Sequence, residues 1–87
     1  DLEFIECGDN CGGGSGGAIL DSEYKNGYLR LNTQSQTSGW FIFSESFDKG
    51  WQAKINSETV QIYRANYRYQ AIKVPAGKNV IEFIYNP

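Results

Sequence analysis

The stretch "WQAKINSETVQIYR" (51–64) decides the fold class. Trp51, Ala53 and Ile55 alternate with Gln52 and Lys54, the period-two pattern of a strand with one buried face. Asn56-Ser57-Glu58 reads as a turn. "TVQIYR" (59–64) then alternates again, with Val60 and Ile62 facing inward. A lone hairpin is at best marginally stable in water, so these two runs need further strands to cover their apolar face.

Those strands are present on both sides. Downstream, "YRYQAIKV" (67–74) is strand-like. "PAGKN" (75–79) is a turn in which Pro75 fixes φ and Gly77 is free to take a positive one. "VIEFIYN" (80–86) alternates with Ile81, Phe83 and Tyr85 on one face. Upstream, "WFIFSES" (40–46) is apolar on both faces at its start, as expected of a central strand covered on both sides. "AILDSEY" (18–24) and "YLRLNT" (28–33) flank Asn26-Gly27, which predicts a hairpin with a type I′ turn. Residues 2–5 form a short apolar run suited to an edge strand. No stretch holds a helical period. Seven or eight strands with regular turn signals predict an all-β fold, an antiparallel β-sandwich of Ig-like or jelly-roll-like kind.

Size and charge narrow the function. The chain has 87 residues, enough for a single domain over 1–87, and its thirteen Phe, Tyr and Trp side chains can supply a modest core. The formal charge is −2 and the basic residues are dispersed, which argues against a nucleic-acid partner. The longest apolar run, Trp40 to Phe43, is far short of the ~20 residues that span a bilayer. Position 1 is Asp and no signal-like stretch follows, which predicts a soluble piece, an excised domain or a mature product.

Cys7 and Cys11 flank a Gly-Asp-Asn turn in "ECGDNCGG". With no His in the chain they cannot complete a structural zinc site, which takes four ligands, so no metal or other cofactor is expected. A local disulfide implies an oxidising, extracytoplasmic compartment; two free thiols are the alternative. Residues 8–17 are dominated by glycine and predict a flexible loop. Gly12, Gly14 and Gly17 fit the dinucleotide spacing formally, but a strand follows them instead of a helix, so the match is compositional.

Catalytic constellations are sparse. Without histidine the chain offers no Ser-His-Asp triad. Glu45 and Asp48 could form a carboxylate pair of the glycosidase kind, or sit at an exposed strand end. Asp9, Asn10, Asp21 and Glu23 are oxygen donors whose spacing matches no EF-hand loop. The richest surface signal is "YRANYRYQ" (63–70), where Tyr63, Arg64, Tyr67, Arg68 and Tyr69 interleave rings with guanidinium groups. Such a mix, with Tyr24 and Tyr28 as further candidate rings, suits a carbohydrate platform; the alternative is that half of these rings fill a small core. Trp51 poses the same choice, and its alternation with Ala53 and Ile55 predicts a buried corner.

From Gly39 onward an acidic-aromatic turn holds Ser44, Ser46 and Phe47, followed by Gly50, Trp51 and Ala53 and by Arg64-Ala65-Asn66 and Ala71. In these residues this half resembles the C-terminal extracytoplasmic segment of YfhO-like bacterial membrane proteins, multispanning proteins related to the GT-C glycosyltransferases. Pro75-Ala76-Gly77 and the closing Glu82, Phe83, Tyr85 and Pro87 complete the resemblance. "AILDSEYKNGYLRLNT" looks alike too, so it covers roughly 18–87. Lys49 stands where the family has Pro before Gly-Trp, and Asn56-Ser57 replaces Asp-Gly, which weakens the type I′ signal and predicts a longer hairpin loop that includes Glu58. The resemblance implies a non-catalytic accessory sandwich on the outer face of the membrane, anchored through the transmembrane part of the same polypeptide. That part would carry any transferase chemistry, in cell-surface glycan modification. A carbohydrate-binding module is the alternative, and Gly50, Trp51, Pro75 and Gly77 are expected to be structural.

Overall fold

The computed structural model describes residues 2–6, 18–46, 48–65 and 69–86. Cys7, Cys11, the glycine-rich segment 8–17, Tyr67 and Arg68 therefore lie outside the described residues. The strands are β1 (Leu2–Glu6), β2 (Ala18–Lys25), β3 (Tyr28–Ser35), β4 (Gly39–Ser46), β5 (Trp51–Ile55), β6 (Glu58–Val60), β7 (Tyr63–Ala65), β8 (Tyr69–Val74) and β9 (Gly77–Tyr85). They form two antiparallel sheets, ordered β1-β4-β8-β7 and β2-β3-β9-β5-β6. The all-β antiparallel sandwich read from the sequence is the fold.

Alternation builds the layer between the sheets. Leu29, Leu31, Ile81, Phe83, Ala53 and Ile55 of the five-stranded sheet face Phe41, Phe43, Ile72 and Val74 of the other, all buried. Phe83 is the centre of this layer, with its ring 5.1 Å from Phe43 and 6.0 Å from Phe41. Burying each large apolar side chain stabilises the fold by roughly 1.5–3 kcal/mol. The opposite face of the larger sheet is polar. In register across it lie Glu23, Arg30, Glu82 and Lys54, so each of these four charges faces an opposite one on a neighbouring strand.

Three expectations are corrected. "TVQIYR" is two short strands and not one: β6 pairs with β5, whereas β7 pairs with β8 in the other sheet. Between them Ile62 stays packed against the core, so the apolar period runs unbroken through a change of sheet. The turns also differ. At Asn26-Gly27 only Gly27 has a positive φ, of 72°, so the turn is not type I′. Asn56 and Ser57 take φ of 52° and 71°, and Ile55 pairs directly with Glu58, which makes the tight primed turn at the site where the sequence signal is weaker. Gly77 has a φ of 100° beside Pro75, as read from the sequence.

Asn56 explains that turn. Its backbone N–H donates to the Val80 carbonyl (2.8 Å), its Oδ1 accepts from the Val80 N–H (2.9 Å), and its Nδ2 donates to Asn79 Oδ1 (2.9 Å). Asn79 is itself buried and donates from Nδ2 to the Pro75 carbonyl (2.9 Å). Two turns are thus stapled to one strand.

Candidate functional site

Two places gather ring and charged side chains. The first is the outer face of the four-stranded sheet. Tyr63 and Tyr69 share that face, which also carries Trp40, Ile42, Ala71 and Lys73, as the register requires. Trp40 and Tyr63 meet edge to face at 5.4 Å, and the Lys73 ammonium stands 5.5 and 5.6 Å from their ring centroids. Trp40 and Ile42 are half-buried by their strand neighbours, and no second layer covers them among the described residues, unlike the two-sided cover expected of this strand. Arg64 pairs in register with Gln70, whose side chain is buried, so it belongs to the opposite face from Tyr63. The structure therefore does not set Arg64 beside the two tyrosines on one platform. Trp40 and Lys73, passed over in the sequence, are the partners of Tyr63.

The second place is a cleft of about 350 Å³ at one end of the sandwich, lined by Tyr24, Gly27, Glu45, Ser46, Asp48, Trp51 and Tyr85. Backbone bonds from the end of β9 build it. The Tyr85 N–H donates to the Gly27 carbonyl (2.7 Å) and the Asn86 N–H to the Gly50 carbonyl (2.8 Å). The β2–β3 turn and the β4–β5 turn are thereby held on either side of one strand end. Gly27 is required there, because a Cβ would lie 3.3 Å from the Tyr85 Cβ on top of its positive φ.

The β4–β5 wall has its own order. Asp48 accepts the Gly50 N–H at Oδ1 (2.8 Å), and its carbonyl accepts the Trp51 N–H (3.0 Å), a closed turn with Lys49 and Gly50 at its centre. Gly50 does not use a positive φ, which makes the turn one that favours proline at the Lys49 position. Just before it, the β4–β8 register shifts between Phe43 and Ser46, so Ser44 and Glu45 are extra residues in β4. This bulge brings Glu45 and Ser46 to the cleft, a re-aiming that bulges commonly perform beside functional sites. Behind the wall the buried Gln70 Nε2 donates to the carbonyls of Glu45 and Ser46, at 3.4 Å each.

Trp51 is half-buried, not wholly buried as its alternation predicts. Its ring meets Phe43 edge to face at 5.6 Å and lies 5.0 Å from Tyr85, so one part seals the core and another faces the cleft. It is both corner and cleft wall. The two carboxylates singled out in the sequence, Glu45 and Asp48, come together on this cleft with Tyr24, one of the candidate rings, whereas Tyr85 had no local signal pointing to it. Among the described residues no group of three His, Cys, Asp or Glu could hold a metal, and no helix is long and apolar enough to cross a membrane.

Residues 18–87 match the family described as bacterial membrane protein YfhO. One curated relative, an uncharacterized protein YfhO of Bacillus subtilis (strain 168), is 42% identical over 41 residues, which are 47% of this chain and 5% of that protein. No solved structure matches. With the match running from β2 through β9, the chain belongs to the YfhO family of bacterial membrane proteins.

Proposed function

We propose that this chain is a non-catalytic accessory domain on the extracytoplasmic side of a YfhO-family membrane protein, serving cell-surface glycan modification. The observation that carries the reading is the extent of the family match. It takes in both sheets of a sandwich with its own core, while the stretch shared with the curated relative is 5% of that protein. A small domain of this kind is an appendage to a far longer polypeptide. Transferase chemistry is assigned to the remainder of that polypeptide, with this domain meeting glycan beside it.

Cysteine accessibility tests the placement. In the full-length protein, with Cys7 and Cys11 changed to Ser, exposed Gln52 on the polar sheet face is changed to Cys. A membrane-impermeant maleimide is expected to label it on intact cells. Labelling only after the membrane is permeabilised overturns the extracytoplasmic reading. Deleting 18–87 is expected to reduce glycan modification while the membrane part remains inserted; unchanged surface glycan overturns the accessory role.

A further inference from the structure

We infer that the cleft between the β2–β3 and β4–β5 turns is a binding site for a sugar ring that is uncharged or carries an amino group. This rests on the reading of the domain as one that meets glycan, and it names where and of what class.

The lining has the two components that sugar recognition needs. Trp51, Tyr85 and Tyr24 supply ring surface, and Tyr24 and Tyr85 are 57% and 38% exposed. Ring faces are electron-rich and attract the polarised C–H groups of a pyranose face. Glu45 and Asp48 supply carboxylate oxygens, which only accept hydrogen bonds when ionised and so suit sugar hydroxyls. The Asp48 Oδ1 is occupied by the Gly50 N–H, which fixes that carboxylate in place. The volume, about 350 Å³, lies at the small end of the range for ligand pockets, which suits one or two sugar rings better than a larger molecule.

Charge sets the class. The described lining contains two carboxylates and no Lys or Arg, so an anionic sugar or a phosphate meets like charge, while an amino sugar meets opposite charge. The aromatic face of the other sheet is a poorer candidate. Its Trp40 and Tyr63 rings stand almost perpendicular, at 83°, and the Lys73 ammonium already lies close to both. They offer no shared flat surface.

The test titrates the 87-residue chain with methyl glucoside, glucosamine and glucuronate, following the two indole N–H signals by NMR. Trp40→Phe assigns the Trp51 signal. The first two sugars are expected to shift it with Kd of about 1 mM, and glucuronate to bind at least about tenfold more weakly. Tyr24→Ala and Glu45→Gln are expected to weaken glucoside binding about tenfold, with thermal melts confirming the fold; Glu45→Gln should also narrow the gap to glucuronate. Tyr63→Ala should change nothing. No shift up to about 50 mM of either sugar overturns the site. Equal binding of glucuronate overturns its charge class, and sensitivity to Tyr63→Ala instead of Tyr24→Ala moves the site to the other sheet. Failure of the extracytoplasmic reading would appear in the maleimide labelling and would leave these titrations untouched.

Discussion

Changing Asn56 to alanine should destabilise the domain more than any other surface substitution in the β5–β6 hairpin. Two side-chain hydrogen bonds are lost, from the Val80 N–H and to Asn79 Oδ1. Each is worth about 0.5–1.5 kcal/mol, the one at Val80 toward the low end because it is exposed. Asn79 is 5% exposed, so its Oδ1 also loses a partner in a place water reaches poorly. Alanine must in addition hold a φ of 52°, which costs a non-glycine residue without a local polar anchor about 1 kcal/mol. The expected total is about 2–4 kcal/mol. Asn56→Gly loses the same bonds without the backbone strain, and should lie about 1 kcal/mol above the alanine variant. Urea unfolding followed by tryptophan fluorescence reads both. With a slope of about 1 kcal/mol/M for so small a chain, the alanine midpoint should fall by about 2–4 M at unchanged slope. A loss under about 0.5 kcal/mol would refute the anchoring role of Asn56. Equal alanine and glycine variants would remove the backbone part of the reasoning.

The remaining predictions concern the cleft and the charged sheet face. Lys49→Pro should raise stability by about 0.4–1 kcal/mol in a thermal melt, because the turn it centres accepts proline; a loss would show that the Lys49 conformation or its N–H matters. Trp51→Ala should cost about 2–3 kcal/mol, less than the 3–5 of a fully buried ring, with most recovered in Trp51→Phe. Tyr28 donates to Glu82 Oε2 at 2.6 Å, and that bond, with burial and the charge of Glu82, holds its pKa above the usual 10.0. The raised value means that the neutral phenol is the form favoured by folding. Its contribution is therefore complete below pH 10 and is lost as pH rises through the higher folded value. Stability measured from pH 9 to 12 should fall more steeply in the native chain than in Tyr28→Phe.

Much of the fold is legible because period two survives in β3, β4, β5 and β9, where Leu29/Leu31, Phe41/Phe43, Ala53/Ile55 and Ile81/Phe83 each point inward as their spacing requires, whereas β2 is exposed along its whole length. What escapes is whatever depends on distant partners. The primed turn at Asn56-Ser57 is made by Val80 and Asn79, more than 20 residues away, so its own residues understate it. Asn26-Gly27 has the stronger local signal and adopts the other geometry, joined to Tyr85 through the Gly27 carbonyl. The passage from β6 to β7 leaves no mark because Val60 and Ile62 both remain against the core across it. The cleft is hidden for the same reason. Trp51, Glu45 and Asp48 are neighbours in sequence, but the turn at Gly27 and the strand end at Tyr85 are brought to them by backbone bonds, which carry no side-chain signature.

The place of β9 also bears on how the molecule comes into being. β9 lies between β3 and β5 in the larger sheet, yet it is synthesised after both. Until it emerges, the β2–β3 hairpin and the β5–β6 hairpin have no strand to join them. Pairs such as Tyr28 with Ile84 close a span of more than 50 residues, the kind of non-local contact that makes β-sandwiches slow to form. A ribosome moving at about 5–20 residues per second therefore releases two hairpins with open edges before it releases their keystone. The sandwich is therefore completed in one late step, on arrival of β9.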